Sequence, residues 1–283
     1  MGNLTLVTGT ITKDVTCQKS FTMKGGTVRG DVSCKNSFTM NAGEIKGSVS
    51  CNGLARVDGG TIAKGVSCSK RFTMKGGVVK GGVSCASFLM TKGSISGIKK
   101  APAVSCSGAF TMKGGKITSK NADTGISIGN SKRKTNKATI SGGKIICTSS
   151  SYYGMFLRNT NLTVAGGTVL VKKSYGHGIY LKYVRYRGKA YGGKVVIKKG
   201  SVTSTVHRAK KDVAIRAYKM TNKASCLKSI AGRLPVGAKF TVKGNTYQVV
   251  SKRLVKLVKQ GGSAPKSSSR VKYGGCNYRC IKN

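Results

Sequence analysis

The chain has 283 residues, and its 52 lysines and arginines stand against only 6 aspartates and glutamates, which gives a formal net charge of +46. A charge so far from zero repels itself and attracts polyanions. The few acids stand singly, which argues against glycoside hydrolysis by paired carboxylates, and no segment approaches the twenty apolar residues of a membrane span.

A short repeat organises the first part of the sequence. Cysteine recurs every seventeen residues at Cys17, Cys34, Cys51, Cys68 and Cys85. Each of these cysteines belongs to a Val-Ser-Cys segment (Val-Thr-Cys at Cys17), which is accompanied by a Phe-Thr-Met segment and a shorter β-branched segment. Apolar and polar residues alternate within these segments, which predicts three short strands per repeat. Glycine pairs between them predict sharp turns. A fixed short period is typical of a solenoid, so we expect an all-β, right-handed parallel β-helix with coils about 4.8 Å apart.

We assign residues 1–120 to these short coils. The third full coil is degenerate, with Ala55 and Val57 where other coils have Phe and Met. The coil after Cys85 is one residue shorter, and residues 98–103 form an insertion before the next Val-Ser-Cys segment. The repeat therefore tolerates small departures without losing its order of strands.

The later regions follow in three parts. Between residues 121 and 225 the glycine pairs recur at longer intervals, which predicts wider coils of the same β-helix, and segments 153–157 and 175–181 are expected to be one strand in two coils. Residues 226–260 predict a small C-terminal β-hairpin module with a Gly-Asn turn. Residues 261–283 predict a Gly/Ser/Pro linker and a partial second hairpin.

The interior of the coils follows from the same alternation. It places a column of phenylalanines inside the β-helix, formed by Phe21, Phe38, Phe72 and Phe110. The repeated cysteines also face inward, so we expect buried free thiols rather than disulfides. His177 and His207 are isolated, and no Cys-x-x-Cys pair occurs. We therefore expect no metal site, no cofactor and no catalytic residues.

Two resemblances bear on function. The phrase Phe-Thr-Met-Lys-Gly-Gly-x-Val, as at residues 72–79, resembles the right-handed parallel β-helix repeats of large bacterial surface and adhesin-like proteins. The Gly-x-x-Tyr hairpins resemble the β-modules that follow such repeats. This resemblance implies a secreted or cell-surface structural protein with a role in adhesion, although its leader is absent from this sequence.

The second resemblance is weaker. Gly-Thr-Val-Arg-Gly-Asp-Val, at residues 26–32, is similar to bactofilins, β-helical filament formers of the cytoplasm. It implies a cytoplasmic scaffold with end-to-end self-association. Bactofilins lack wide coils and hairpin modules, so this resemblance ranks second. Because some β-helical proteins degrade polysaccharides, an enzyme is a third hypothesis. Asp123 and Asp212 are the only acids in the wide coils and form no paired motif, which argues against it.

Lysines and arginines recur in register with the cysteines. Seven residues after successive cysteines come Lys24, Asn41, Asp58, Lys75, Lys92 and Lys113. Twelve residues after them come Arg29, Lys46, Ala63 and Lys80. Stacked at about 4.8 Å, such charges would lie within the Debye length of roughly 8 Å. A polyanion along the column would relieve their repulsion and release counterions.

Tyrosine is concentrated in the wide coils, where Arg185 and Arg187 alternate with Tyr183 and Tyr186. Aromatic rings beside arginines suit anionic sugars, although ordinary packing of loop tyrosines on the solenoid is the simpler explanation. We expect an anionic polysaccharide or cell-wall polymer, such as acidic glycan or teichoic acid, as partner, with nucleic acid as a non-specific possibility. The alternative is a purely structural stalk whose charge keeps it soluble.

The polar residue of each Val-Ser-Cys segment forms another column. Its members are Thr16, Ser33, Ser50, Ser67, Ser84 and Ser105, and they are expected to point outward. An ice-binding face usually needs two adjacent uncharged columns, and these positions are flanked by lysines. We therefore expect a polar surface with charged margins.

Overall fold

The computed structural model describes residues 2–130, 135–209, 211–263 and 269–281. The chain winds through three long parallel sheets in turn, so that each coil adds one strand to each sheet. Within the described residues these sheets have 11, 11 and 10 strands, and a small sheet follows at the C-terminal end. The predicted parallel β-helix is confirmed, and its right-handed winding stays a prediction.

We call the three sheets A, B and C in the order in which the chain enters them. The strands of sheet A are Leu4–Leu6, Phe21–Met23, Phe38–Met40, Ala55–Val57, Arg71–Met74, Ser87–Met90, Phe110–Met112, Asn136–Ile140, Thr160–Val164, Lys194–Ile197 and Lys219–Asn222. The strands of sheet B are Thr10–Ile11, Thr27–Val28, Glu44–Ile45, Thr61–Ile62, Val78–Val79, Ser94–Ser96, Lys116–Lys120, Lys144–Thr148, Thr168–Ser174, Ser201–Val206 and Leu227–Ala231. The strands of sheet C are Val15–Cys17, Val32–Cys34, Val49–Cys51, Val66–Cys68, Val83–Cys85, Val104–Cys106, Thr124–Gly129, Tyr153–Arg158, Ile179–Lys182 and Ile215–Arg216.

The core is a set of stacked columns inside the solenoid. Each predicted phenylalanine of the sheet A column is completely buried, and the rings of Phe88 and Phe110 stack with centroids 4.8 Å apart. Ala55 interrupts this column between Phe38 and Phe72. The repeated cysteines from Cys17 to Cys106 are buried, as predicted, and the other four cysteines are buried as well. Because every coil packs only on its neighbours, stability is distributed along the axis.

The turns explain two features of the repeat. Gly26 adopts a φ of +79°, and a Cβ there would come 2.5 Å from the carbonyl oxygen of Gly9 in the coil below. Only glycine fits both the backbone angle and the close approach. At the turn before sheet C, Asp14 Oδ1 accepts a hydrogen bond from the Asp31 N–H at 2.7 Å, and Asp31 accepts one from Ser48 at 2.6 Å. These carboxylates therefore tie neighbouring coils together.

The β-helix extends past residue 225, where the sequence predicts its end. The strands Lys219–Asn222 and Leu227–Ala231 still pair with sheets A and B, with a 3-10 turn at Ala224–Cys226 between them. Polar residues in these last coils, such as Asn222, weaken the hydrophobic pattern from which the boundary is predicted. Asn222 makes hydrogen bonds of 2.9 Å to both the N–H and the carbonyl of Lys239, which joins the last coil to the C-terminal sheet.

The C-terminal sheet contains both predicted hairpins. Its strands are, in spatial order, Lys239–Val242, Asn245–Ser251, Leu254–Lys259, Cys276–Ile281 and Arg270–Tyr273. The two hairpins share one sheet because Leu254–Lys259 pairs in parallel with Cys276–Ile281. Buried Tyr278 accepts a hydrogen bond from the Leu234 N–H at 3.1 Å. Residues 264–268 of the predicted linker lie outside the described residues.

Candidate polymer-binding surface

The first predicted lysine column lies at the turn between sheets A and B. Because the strand after Cys85 begins early, Met74 pairs with Met90, and Thr91 rather than Lys92 takes the next position. The column therefore runs Lys24, Asn41, Asp58, Lys75, Thr91 and Lys113. Lys92, the neighbour of Thr91, gives that coil its cation, so Lys75, Lys92 and Lys113 lie in three successive coils. Asn41 and Asp58 occupy the two coils between Lys24 and Lys75. The predicted register is therefore wrong at Lys92, and the succession of cations is interrupted between Lys24 and Lys75.

The second predicted column lies at the turn between sheets B and C and is denser. It runs Arg29, Lys46, Ala63 and Lys80 in successive coils. Lys64, the neighbour of Ala63, gives the third coil its cation, and its Nζ lies 3.9 Å from Asp31. Four successive coils thus carry one exposed cation each, about 4.8 Å apart. We call this surface the basic corner; it consists of Arg29, Lys46, Lys64 and Lys80.

Arg185 and Arg187 lie on a hairpin that leaves the solenoid between sheets C and A. Its strands are Val184–Tyr186 and Lys189–Tyr191. The Arg185 guanidinium lies 5.9 Å from the ring centroid of Tyr183, and that of Arg187 lies 5.4 Å from the ring of Tyr186. These cation–π pairs order the hairpin several coils beyond the basic corner, so the nine predicted residues form three groups rather than one surface.

The outward-facing column of sheet C consists of hydroxyl residues in the earlier coils and of larger side chains in the later ones. Strand register aligns the hydroxyl residues Thr16, Ser33, Ser50, Ser67, Ser84, Ser105 and Ser127. The next three coils place Phe156, Tyr180 and Arg216 at the same position. The sequence predicts the hydroxyl column as far as Ser105. Its aromatic continuation lies in coils of unequal length, so the spacing of cysteines does not reveal it.

The hydroxyl column from Ser50 to Ser127 contributes to two shallow depressions, which we together call the hydroxyl groove. A depression of about 330 Å³ runs along one end of the strands, where Ala101 and Pro102 of the inserted segment form part of its wall. A second depression, of about 410 Å³, lies near the other strand ends and includes Ser84, Ser105 and Ser127.

An aromatic cluster lies at the far end of the hydroxyl column. The Tyr153 ring centroid is 5.1 Å from that of Phe156 and 5.2 Å from that of Tyr180. Phe156 and Tyr180 are 5.5 Å apart. The Arg158 guanidinium lies 5.3 Å from the Phe156 centroid, and Arg216 lies 4.9 Å from that of Tyr180. We call this group, with His177, the aromatic-arginine patch: Tyr153, Phe156, Arg158, His177, Tyr180 and Arg216.

His177 positions one of the arginines. An Arg216 Nη1–H donates to His177 Nε2 at 2.7 Å, which requires a neutral imidazole with its proton on Nδ1. Burial lowers the pKa of His177, and the positive charge of Arg216 lowers it further, against an opposing effect of Asp212. His177 Nδ1 is buried without a hydrogen-bond partner. At neutral pH the histidine therefore acts as a fixed acceptor for Arg216.

Two carboxylates lie near the patch. Asp212 Oδ2 is 3.6 Å from Arg208 Nε. Asp123 is exposed, and its main-chain carbonyl oxygen accepts a hydrogen bond from the Tyr152 N–H at 2.9 Å. Three coil steps separate the two acids, about 14 Å. Paired carboxylates in glycosidases are about 5 to 9.5 Å apart, so these two do not have that arrangement.

No family model, curated protein or solved structure shows a significant match to this chain. Within the described residues, no helix is long and apolar enough to cross a membrane. The same part of the chain contains no group of three or more histidine, cysteine or acidic residues arranged to hold a metal ion.

Proposed function

We propose that this protein is a non-enzymatic repeat scaffold that binds an anionic polymer, either acidic glycan or teichoic acid, at or outside a cell surface. The observation that carries the proposal is the basic corner. Its four cations are exposed and follow one another at the strand spacing of about 4.8 Å, within the Debye length of roughly 8 Å. A polyanion along this corner would relieve their repulsion and release its own counterions.

The neighbouring hydroxyl groove supports a polymer as the ligand. The first depression crosses several coils along the solenoid axis, and its lining residues Ser48, Gly65 and Gly81 lie one or two positions after Lys46, Lys64 and Lys80 in the sequence. Serine hydroxyls donate and accept hydrogen bonds, as do the hydroxyls of a sugar. A glycan lying in the groove would therefore meet hydroxyls along its length and cations along one margin.

The alternative function is a structural stalk in which the charge only maintains solubility. It predicts that every lysine contributes equally to polyanion binding, since only net charge would matter. The chain offers a matched comparison, because four successive coils each carry a cation at the basic corner, whereas Asn41 and the acidic Asp58 interrupt the four lysines near the turn between sheets A and B.

The test compares two quadruple variants by their affinity for immobilised heparin across a salt series. One variant replaces Arg29, Lys46, Lys64 and Lys80 with Gln. The other replaces Lys24, Lys75, Lys92 and Lys113 with Gln. Both remove four positive charges. If each basic-corner cation displaces about one counterion, the slope of log affinity against log salt should fall by about 3 to 4 in the first variant and by much less in the second.

Two outcomes would contradict the proposal. Equal losses in both variants would mean that net charge alone attracts the polymer. Unchanged affinity and slope in both would favour the stalk. Circular dichroism of each variant should match that of the parent protein, since all eight residues are exposed. Teichoic acid in place of heparin then tests which class of polymer binds more tightly.

A further inference from the structure

We propose that the aromatic-arginine patch is a subsite for one acidic sugar of the bound polymer. The sugar ring would lie against the Tyr153, Phe156 and Tyr180 rings, and its carboxylate or sulfate would pair with Arg216. This inference rests on the proposed function, because the patch continues the outward column of sheet C beyond the hydroxyl groove. Such a subsite would make the protein selective for sugar-containing polymers, which a row of charges alone does not explain.

The three rings form one apolar surface of a suitable kind. Each ring contacts the other two, with centroids 5.1 to 5.5 Å apart. All three side chains are partly exposed, although large aromatic residues are usually buried where they only stabilise a core. Two of them follow in the same column, so adjacent coils hold the surface at a fixed spacing.

The guanidinium of Arg216 is held in a fixed position in which it can bind an anion. Its guanidinium lies over the Tyr180 ring and is held by the hydrogen bond to His177. That bond uses one of five N–H donors, and the side chain is exposed. A planar guanidinium fixed in this way pairs with a carboxylate or sulfate through two parallel hydrogen bonds.

Charge complementarity favours an anionic ligand here. Lys182 follows Arg158 in the adjacent column of sheet C, which adds a third cation beside the rings. The nearest acids are Asp212, which is close to Arg208, and Asp123, which lies at the turn below. The three cations Arg158, Lys182 and Arg216 outnumber these two acids.

The ring geometry excludes a nucleic-acid base inserted between two rings. A base held between two rings needs about 7 Å between the ring planes, twice the contact distance of roughly 3.5 Å. The centroids are closer than that, and the Tyr180 ring is inclined at 56° to Tyr153 and at 50° to Phe156. The rings therefore form a stepped surface without a slot, which a puckered sugar can cover.

The experiment separates sugar recognition from general polyanion binding. The double variant Tyr153→Ala/Tyr180→Ala removes two rings of the patch. The matched control is Tyr175→Ala/Tyr218→Ala, which removes two exposed tyrosines of the wide coils that lie outside the patch. Affinity is measured by calorimetry for a heparin tetrasaccharide, for inorganic polyphosphate and for oligothymidylate. Arg216→Gln and Arg216→Lys provide a second pair of variants.

We expect the patch variant to bind the tetrasaccharide at least about tenfold more weakly, a loss of about 1.4 kcal/mol, and to bind polyphosphate as before. The control should bind both like the parent protein. Arg216→Gln should weaken tetrasaccharide binding, and Arg216→Lys should restore it only in part because a lysine lacks the planar fork.

Several results would overturn the inference. Equal weakening by the patch variant and its control would show that the position of the rings is unimportant. Equal weakening for tetrasaccharide and polyphosphate would show loss of general attraction only. A greater loss for oligothymidylate than for tetrasaccharide would assign the patch to single-stranded nucleic acid. If the double tyrosine variant unfolds, the two Arg216 variants decide. Polyphosphate binding that is absent even in the parent protein would instead refute the proposed function.

Discussion

Truncation of Phe110 tests whether the core consists of stacked side chains. Phe110 is completely buried; it stacks on Phe88 with ring planes only 5° apart and has Ala138 as its neighbour in the next coil. Phe110→Ala removes the ring and leaves a cavity that its small neighbour cannot fill. Such core truncations cost about 3–5 kcal/mol. At roughly 2–4 °C per kcal/mol for a chain of this size, the melting temperature should fall by roughly 6–20 °C.

The matched control is Phe156→Ala, which removes the same side chain from the outward face of the same solenoid. Phe156 is only partly buried, and it contacts Tyr153 and Tyr180 rather than the core. Loss of such aromatic pairs costs about 1 kcal/mol, or roughly 2–4 °C. Thermal unfolding followed by circular dichroism, at matched protein and salt concentrations, measures both variants. An equal fall in the two would refute the assignment of inward and outward columns.

Three further predictions concern the thiols, the C-terminal sheet and pH. The ten cysteines should react slowly with a thiol reagent in the native protein and completely after denaturation, since all are buried. Burial also raises the pKa of Cys147 to about 12. Rapid reaction of most thiols in the native protein would contradict this prediction. Tyr278→Phe should lower stability by about 1–3 kcal/mol in chemical denaturation, because it leaves the Leu234 N–H without its acceptor; a neutral effect would count against that hydrogen bond. Stability should decrease as pH falls below about 6.5, because the pKa of His177 is lowered in the folded state and the unfolded state therefore takes up the proton more readily. His177→Gln should reduce this pH dependence of stability, and the exposed His207→Gln should not. Equal behaviour of the two variants would contradict the assignment.

The sequence predicts the short coils well because each coil repeats the same alternation of apolar and polar residues. The alternation in Val32-Ser33-Cys34 and Phe38-Thr39-Met40 determines which side chains enter the core, and the structure buries them as predicted. Where a coil loses a residue, counting from cysteines fails, as at Lys92. The register of strands depends on hydrogen bonds between coils, and it follows the apolar column rather than the residue count.

The aromatic-arginine patch illustrates what the sequence alone does not reveal. Tyr153 and Arg216 are far apart in the chain, and their proximity depends on the lengths of two unequal coil steps. The segments containing Tyr153 and Tyr180 are recognisable as two versions of one strand, and the structure pairs them. That similarity is the one signal from which the aromatic column follows. The hydrogen bond between Arg216 and His177 depends on tertiary structure, because it joins residues of different coils.

The central claim is that an acidic glycan lies along sheet C and reaches the aromatic-arginine patch. Solution NMR of the protein with labelled tyrosine rings, titrated with a heparin tetrasaccharide, tests it most directly, and Tyr→Phe variants assign the signals. The account predicts that the signals of Tyr153 and Tyr180 shift on binding while those of Tyr247 and Tyr278, buried in the C-terminal sheet, do not. Shifts confined to Tyr183 and Tyr218, or binding that moves no tyrosine signal, would contradict it.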